Sequence, residues 1–249
     1  MITAPPPGPR PDLSGANRSL LEKRLQRARQ GARPGQRPVI LPRPDATRIP
    51  LSHGQERLWF LDQLLAEPSI YNLYQALRIT GPLDAAALER ALDELANRHE
   101  VFRSAIVATE DGPQQVISHP PQLPLARADL SALPPAERDA ELQRRLVLEA
   151  KRPFNLAQDQ LIRALLVRLA PDEHVLLLSL HHIVSDGWTL GLICRELGVL
   201  LEAFAAGRES PLPPLAIRFA DFALWERDTF QGEALEKALA YWRRQLAGR

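Results

Sequence analysis

The stretch His174-Val175-Leu176-Leu177-Leu178-Ser179-Leu180-His181-His182-Ile183-Val184-Ser185-Asp186-Gly187-Trp188 decides how the chain is read. Its apolar run is short and bounded by turn residues, the pattern of a strand covered on both faces. The run then ends in two adjacent histidines and an Asp-Gly turn that opens a helical pattern. Buried polar groups cost free energy unless they are paired. A buried strand that delivers titratable side chains is therefore the first place to look for chemistry.

Working outward, strands alternate with helices. A helix opens at Ser52, with Gln55 as its capping-box partner, and runs through Gln63; Leu58, Leu61, Leu64 and Leu65 form its expected buried stripe. Asn72–Ile79 reads as a strand. A second helix is capped by Asp84 and carries Leu88, Ala91, Leu92 and Leu95 at helical spacing. Val101–Thr109 has strand character, and Asp111-Gly112 signals a hairpin to residues 114–118. The Pro-rich stretch 120–135 reads as a surface connection, and Pro135 opens a helix over 136–151 with Leu142 and Leu146 inward. Leu161–Leu169 is a strand that turns at Pro171-Asp172 into the opening stretch. Helices follow over 188–206 (Ile193, Leu197, Leu200, Phe204) and 233–247 (Leu235, Leu239, Trp242, Leu246). This order predicts an α/β layered sandwich with a mixed sheet flanked by helices.

The 249 residues, 45% hydrophobic and 24% charged, are those of a globular chain. No apolar run reaches the roughly eighteen residues of a membrane span, and no signal-peptide pattern opens the chain, so a cytoplasmic, membrane-free protein is expected. The single cysteine, Cys194, excludes an internal disulfide framework and fits a reducing compartment; it reads as a buried structural thiol. Residues 1–50 hold ten Lys/Arg against three Asp/Glu, a balance of +7 inside a net charge of +1. This leader is Pro-rich, with a candidate basic helix at Ser14–Gln30, followed by a linker over 33–50. It lacks the aromatics of single-strand binding, which argues against nucleic acid. The globular part is expected over 51–249.

Side chains alternate across a strand, so His181 and His182 point to opposite faces. Two ligands of one metal ion must converge, so the pair speaks against a metal site. It favours one working and one packed imidazole, with Asp186 orienting a histidine or holding the turn and Gly187 permitting close approach. A histidine beside a carboxylate also occurs in satisfied cores, and local chemistry alone leaves both readings open. No Gly-x-Ser-x-Gly elbow surrounds Ser185, and no phosphate-binding Gly-rich loop exists. The sharper enzyme reading is a histidine acting on a nucleophile supplied by the substrate.

His181-His182-Ile183-Val184-Ser185-Asp186-Gly187-Trp188-Thr189 resembles the core motif of condensation domains of nonribosomal peptide synthetases. Three further blocks carry the resemblance: Leu51-Ser52-His53-Gly54-Gln55-Glu56-Arg57-Leu58-Trp59-Phe60-Leu61, Arg98-His99-Glu100-Val101-Phe102-Arg103, and Phe219-Ala220-Asp221-Phe222-Ala223-Leu224-Trp225, with Phe219 where tyrosine is common. The resemblance covers about Leu51 to the C-terminus. It implies a chloramphenicol-acetyltransferase-like fold and amide bond formation between two thioesters held on peptidyl and aminoacyl carrier proteins. The resemblance further implies that no cofactor is bound directly and that 4'-phosphopantetheine is presented by the carriers. His182 matches the catalytic second histidine and His181 its structural neighbour. Asp186 matches an aspartate that pairs with an arginine at the position of Arg103. Arg98 matches a second arginine of that motif, and Gly187 the glycine beside the substrate tunnel.

The chain departs from the family pattern at Asn155, usually aspartate, and at Asp159-Gln160, commonly Gly-Pro. Family domains have two lobes, and only the N-terminal lobe is recognisable here, so little condensing activity is expected without a second lobe and an adjacent adenylation domain. Residues 14–30 become a candidate docking segment for an upstream synthetase subunit. The opening blocks look most like the ordinary type joining two L-residues. Two other readings stay open: a stand-alone acyltransferase of the same superfamily, and a non-catalytic docking module.

Overall fold

A computed structural model of the chain describes residues 39–43, 48–65, 67, 69–117 and 120–248. The leader through residue 38, with its expected basic helix at 14–30, lies outside the described residues. Strand β7 (Glu173–His181) is the spine of the larger sheet, buried from His174 to His181. It is flanked on both sides by antiparallel partners, β2 (Asn72–Thr80) and β6 (Ile162–Ala170). β5 (Leu125–Asp129) adds to β6 in parallel, so the sheet β2-β7-β6-β5 is mixed. A smaller antiparallel sheet orders β1 (Arg48–Pro50), β4 (Gly112–Ile117) and β3 (Ser104–Thr109).

The two faces of β7 explain its unbroken apolar run. Leu176, Leu178 and Leu180 point into the main core with α2 (Ala85–Arg98) and α4 (Gly187–Ala205). Val175 points the other way, with Val167 and Leu169 of β6, onto Leu142 of α3 (Pro135–Lys151). Leu88, Ala91, Leu92 and Leu95 of α2 are fully buried, as their spacing predicts. Each such leucine is worth about 2–5 kcal/mol against truncation to alanine. Asp84 caps α2 by accepting from the Ala86 and Ala87 N–H groups. Gly112, with φ +104°, closes the β3–β4 hairpin in a conformation that a side chain would strain.

Several expectations are corrected. Glu100–Arg103 forms a 3-10 turn and the strand starts only at Ser104. The stretch 120–135 contains β5, whose Leu-Ala-Arg-Ala-Asp composition carries little strand propensity; the exposed edge of β6 recruits it. The core begins before Leu51: Ile49 of β1 is buried, and Arg43 reaches Glu100 at 2.6 Å. Cys194 is half-buried rather than buried, and burial pushes its thiol pKa up. α1 (His53–Leu64) has the expected capping box, but its leucine stripe is only half-buried at Leu58 and Leu61 and is exposed at its end, Leu64 by 64% and Leu65 by 38%. α1 meets the core through Gln55, Leu58 and Trp59 near its start. α6 (Gly232–Leu246) buries none of its residues, because no described element covers its apolar face. Between α4 and α6, the Phe219–Trp225 block lies on a further helix, α5 (Phe219–Thr229).

Candidate active site

The site is built where β7 ends. The His182 N–H still donates to the Tyr71 carbonyl at 2.8 Å, and the chain then folds back on itself. Val184 N–H donates to His181 O at 3.1 Å, and the Ser185 hydroxyl donates to the same carbonyl at 2.9 Å. Asp186 follows as N-cap of α4. Five residues thus convert a buried strand into a helix and fix two imidazoles in different surroundings.

His181 is fully buried, edge-on to Tyr71 and Phe154 at centroid distances of 6.2 and 6.1 Å. Its Nδ1 accepts the Ile183 N–H at 3.1 Å, which places the ring proton on Nε2. That Nε2–H has no hydrogen-bond partner among the described residues and faces Asp62 Oδ1 at 3.7 Å, too far for a hydrogen bond. Burial, and secondarily the neighbouring His182, lower the His181 pKa to about 4. The ring is therefore neutral at pH 7 and forms no ion pair with Asp62, whose own carboxyl pKa is raised by burial. Asp62 also borders an open cleft of about 500 Å³ with Trp59, Phe154 and Asn155, a cleft to which the His182 turn contributes no lining residue.

His182 is half-buried. Its Nδ1 lies 2.5 Å from the Ser185 carbonyl oxygen. A carbonyl only accepts, so Nδ1 carries the proton, and in the neutral ring Nε2 is the nitrogen with the lone pair. This is the tautomer a proton acceptor needs, and the turn's own backbone enforces it.

Asp186 does not pair with Arg103. Its carboxylate accepts from Thr189 N at 2.8 Å and Thr189 Oγ1 at 2.7 Å. Those bonds, the hydroxyl first, hold its pKa below the usual carboxylate value. The physical reason is position: a carboxylate at an N-cap finds its donors in its own first turn. Arg103 Nε donates instead to the Ala96 carbonyl at 2.9 Å. Arg98 lies at the seam of α2 and α4, with Nε 3.3 Å from Glu196 Oε1 and Nη1 2.5 Å from the Pro213 carbonyl. His99 Nε2 meets the other oxygen of Glu196 at 2.7 Å. Among the described residues, neither arginine is hydrogen-bonded to His182 or Asp186. At Gly187 a Cβ would meet no heavy atom within 4 Å, so this lobe leaves open space there. Asn155 and Asp159 close their loop on each other, Asn155 N–H to Asp159 Oδ2 at 2.9 Å.

Sequence reasoning missed the groups that tie the four blocks together. Gln55 of the first block reaches the Ile183 carbonyl of the third at 3.3 Å. Glu100 of the second meets Arg218, just ahead of the fourth, at 3.0 Å. Tyr71 and Ser185 act through backbone carbonyls, which carry no residue-type signal. The buried Glu196 sits among the apolar positions of a helix, and that was the one legible hint.

Comparison with known proteins gives the site its context. The family model for the condensation domain matches residues 45–249. Phosphinothricin tripeptide synthetase PhsC of Streptomyces viridochromogenes is 43% identical over 237 residues, 95% of this chain and 22% of that protein. Chondramide synthase cmdD of Chondromyces crocatus is 43% identical over 206 residues, 83% of this chain and 5% of that protein. Among solved structures, the X-domain from teicoplanin biosynthesis matches with a TM-score of 0.76 at 31% identity, over 85% of this chain and 46% of its own. The starter condensation domain of rhizomide synthetase RzmA matches with a TM-score of 0.74 at 24% identity, over 82% of this chain and 48% of its own, a likeness of fold. The chain spans about half the length of these solved chains and at most 22% of the two synthetases. With its mixed sheet, flanking helices and paired histidines at the end of the central strand, this chain belongs to the condensation-domain family of nonribosomal peptide synthetases, in its N-terminal portion.

Proposed function

We propose that the chain supplies the histidine-bearing half of a condensation site. That site joins a carrier-bound acyl or peptidyl thioester donor to a carrier-bound aminoacyl acceptor. The observation that carries this reading is the His182 ring: Nδ1 is bound to the Ser185 carbonyl and Nε2 is left as a free base on a half-buried imidazole. The acceptor's α-amine has a pKa of about 7.7–8.0, so it needs only modest help to attack at neutral pH. As the C–N bond forms at the thioester carbonyl, Nε2 takes the amine proton or holds the amine by a hydrogen bond. The tetrahedral intermediate then collapses, the C–S bond breaks, and the departing phosphopantetheine thiolate is protonated. His181 contributes a neutral, packed ring, Asp186 the start of α4, and Gly187 the open space for a carrier arm. Arg98 and Arg103 act at a distance, by holding α2 to α4 and to the turn that follows it.

In this reading the partners are peptidyl and aminoacyl carrier proteins with their 4'-phosphopantetheine arms, the remaining half of the domain and a neighbouring adenylation domain. Residues 14–30 remain a candidate contact for an upstream subunit. Replacing His182 by alanine is expected to lower condensation between loaded carriers by about 10²–10⁴-fold, the range for a positioned acid–base group. The assay uses the chain within a synthetase that supplies the rest of the domain, and near-normal turnover refutes the assignment. A second reading has one observation in its favour. The teicoplanin X-domain is also solved in a complex with OxyB, at 32% identity to this chain. A docking module of that kind would tolerate His182→Ala without losing its partner.

A further inference from the structure

Gln55 is 2% exposed and uses both ends of its amide. Oε1 accepts the Ser52 N–H at 3.1 Å, completing the capping box of α1. Nε2 donates across 128 residues of sequence to the Ile183 carbonyl at 3.3 Å. The partners fix the amide's orientation, since an N–H requires the oxygen and a carbonyl requires the nitrogen. Ile183 is the residue after His182, and its peptide lies inside the turn whose Ser185 carbonyl holds the His182 Nδ1 proton. The Ile183 N–H is already bound to His181 Nδ1 at 3.1 Å. Gln55 therefore secures the carbonyl end of a residue that follows His182 and whose N–H already holds the His181 ring.

From this geometry we infer that Gln55 is a positioning residue for His182, acting through the Ile183 carbonyl to hold the turn that keeps the His182 ring protonated on Nδ1. The inference rests on the proposed role of His182 for its consequence, but not for its structural content. Leaving a buried carbonyl without its donor costs free energy, which favours rotation of the Ile183 peptide toward another donor. Ile183 and Ser185 share one short turn, so a rotation at the first displaces the second from its 2.5 Å contact with Nδ1. The ring then exchanges between tautomers, and the free Nε2 base is present only part of the time.

Capping chemistry provides a selective test. A capping box takes glutamate as well as glutamine, so Gln55→Glu, in its ionised form, keeps the acceptor for Ser52 N–H while removing the donor to Ile183 O. Ser52→Ala does the reverse: it weakens the cap of α1 and leaves the Gln55–Ile183 bond in place. The readout is the ¹⁵N chemical shifts of the His182 ring nitrogens in the chain labelled at histidine, which distinguish the Nδ1–H from the Nε2–H form. The parent and Ser52→Ala are expected to show one tautomer, protonated at Nδ1, and Gln55→Glu a mixture. In the condensation assay Gln55→Glu should lower kcat about tenfold, a part of the full acid–base contribution, with KM little changed, whereas Ser52→Ala keeps kcat. An unchanged ring spectrum in Gln55→Glu overturns the inference. So does an equal change in Ser52→Ala, which would make Gln55 merely a stabiliser of α1. The spectra need no activity, so absence of condensation in the parent would count against the proposed function alone.

Discussion

Acidification from pH 7 to pH 5 should weaken this fold through one buried ring. His181 has an ordinary pKa of 6.5 in the unfolded chain and about 4 in the folded one. Between those values the unfolded state binds a proton that the folded state refuses, so stability falls as the pH drops below 6.5 and levels off below about 4. The 2.5-unit gap corresponds to about 3 kcal/mol in full; about 2 kcal/mol of it is lost by pH 5, against about 0.2 kcal/mol at pH 7. The measurement is urea unfolding, followed by circular dichroism, of the parent and of His181→Asn at pH 7, 6 and 5. Asparagine keeps an acceptor near the Ile183 N–H and does not titrate. At pH 7 the variant should be the less stable, through lost ring packing against Tyr71 and Phe154. By pH 5 the gap between the two proteins should narrow by about 2 kcal/mol, because only the parent pays for protonation. Parallel pH dependences would refute the neutral, buried assignment of His181.

Two further outcomes follow from the bonds around the turn and the helix seam. Asp186→Ala should cost about 1 kcal/mol in urea unfolding, the usual worth of an N-cap, and not the larger penalty of breaking a buried ion pair; a loss above about 3 kcal/mol would restore an arginine partner for Asp186. Glu196→Ala leaves Arg98 and His99 at a buried seam without their shared carboxylate, and should cost about 3 kcal/mol in the same measurement. A loss below about 1 kcal/mol would show that the Pro213 carbonyl and solvent suffice for Arg98.

Periodicity worked best where an element is covered on all sides. β7 and α2 read correctly because their apolar residues meet a core on every face that the pattern implies. It worked least well for α1 and α6. Their leucines keep helical spacing, yet Leu64, Leu65, Trp242 and Leu246 stay exposed, because spacing states which residues share a face and not whether anything lies opposite. β5 was illegible for the converse reason: its residues have no strand pattern, and only the free edge of β6 makes a strand of them.

The sequence by itself determined most of the longer helices and strands, the capping residues Ser52 and Asp84, and the pair of histidines at the end of a buried strand. These are local matters, fixed by side-chain chemistry within a few residues. The tertiary structure decided the partners. It placed Asp186 on Thr189 instead of Arg103, and Arg98 on Glu196. It also gave the two imidazoles opposite protonation, His181 on Nε2 and His182 on Nδ1, through backbone groups of Ile183 and Ser185. Every residue carries the same N–H and C=O, so no residue type announces such a bond, and only the folded turn brings those groups to the rings.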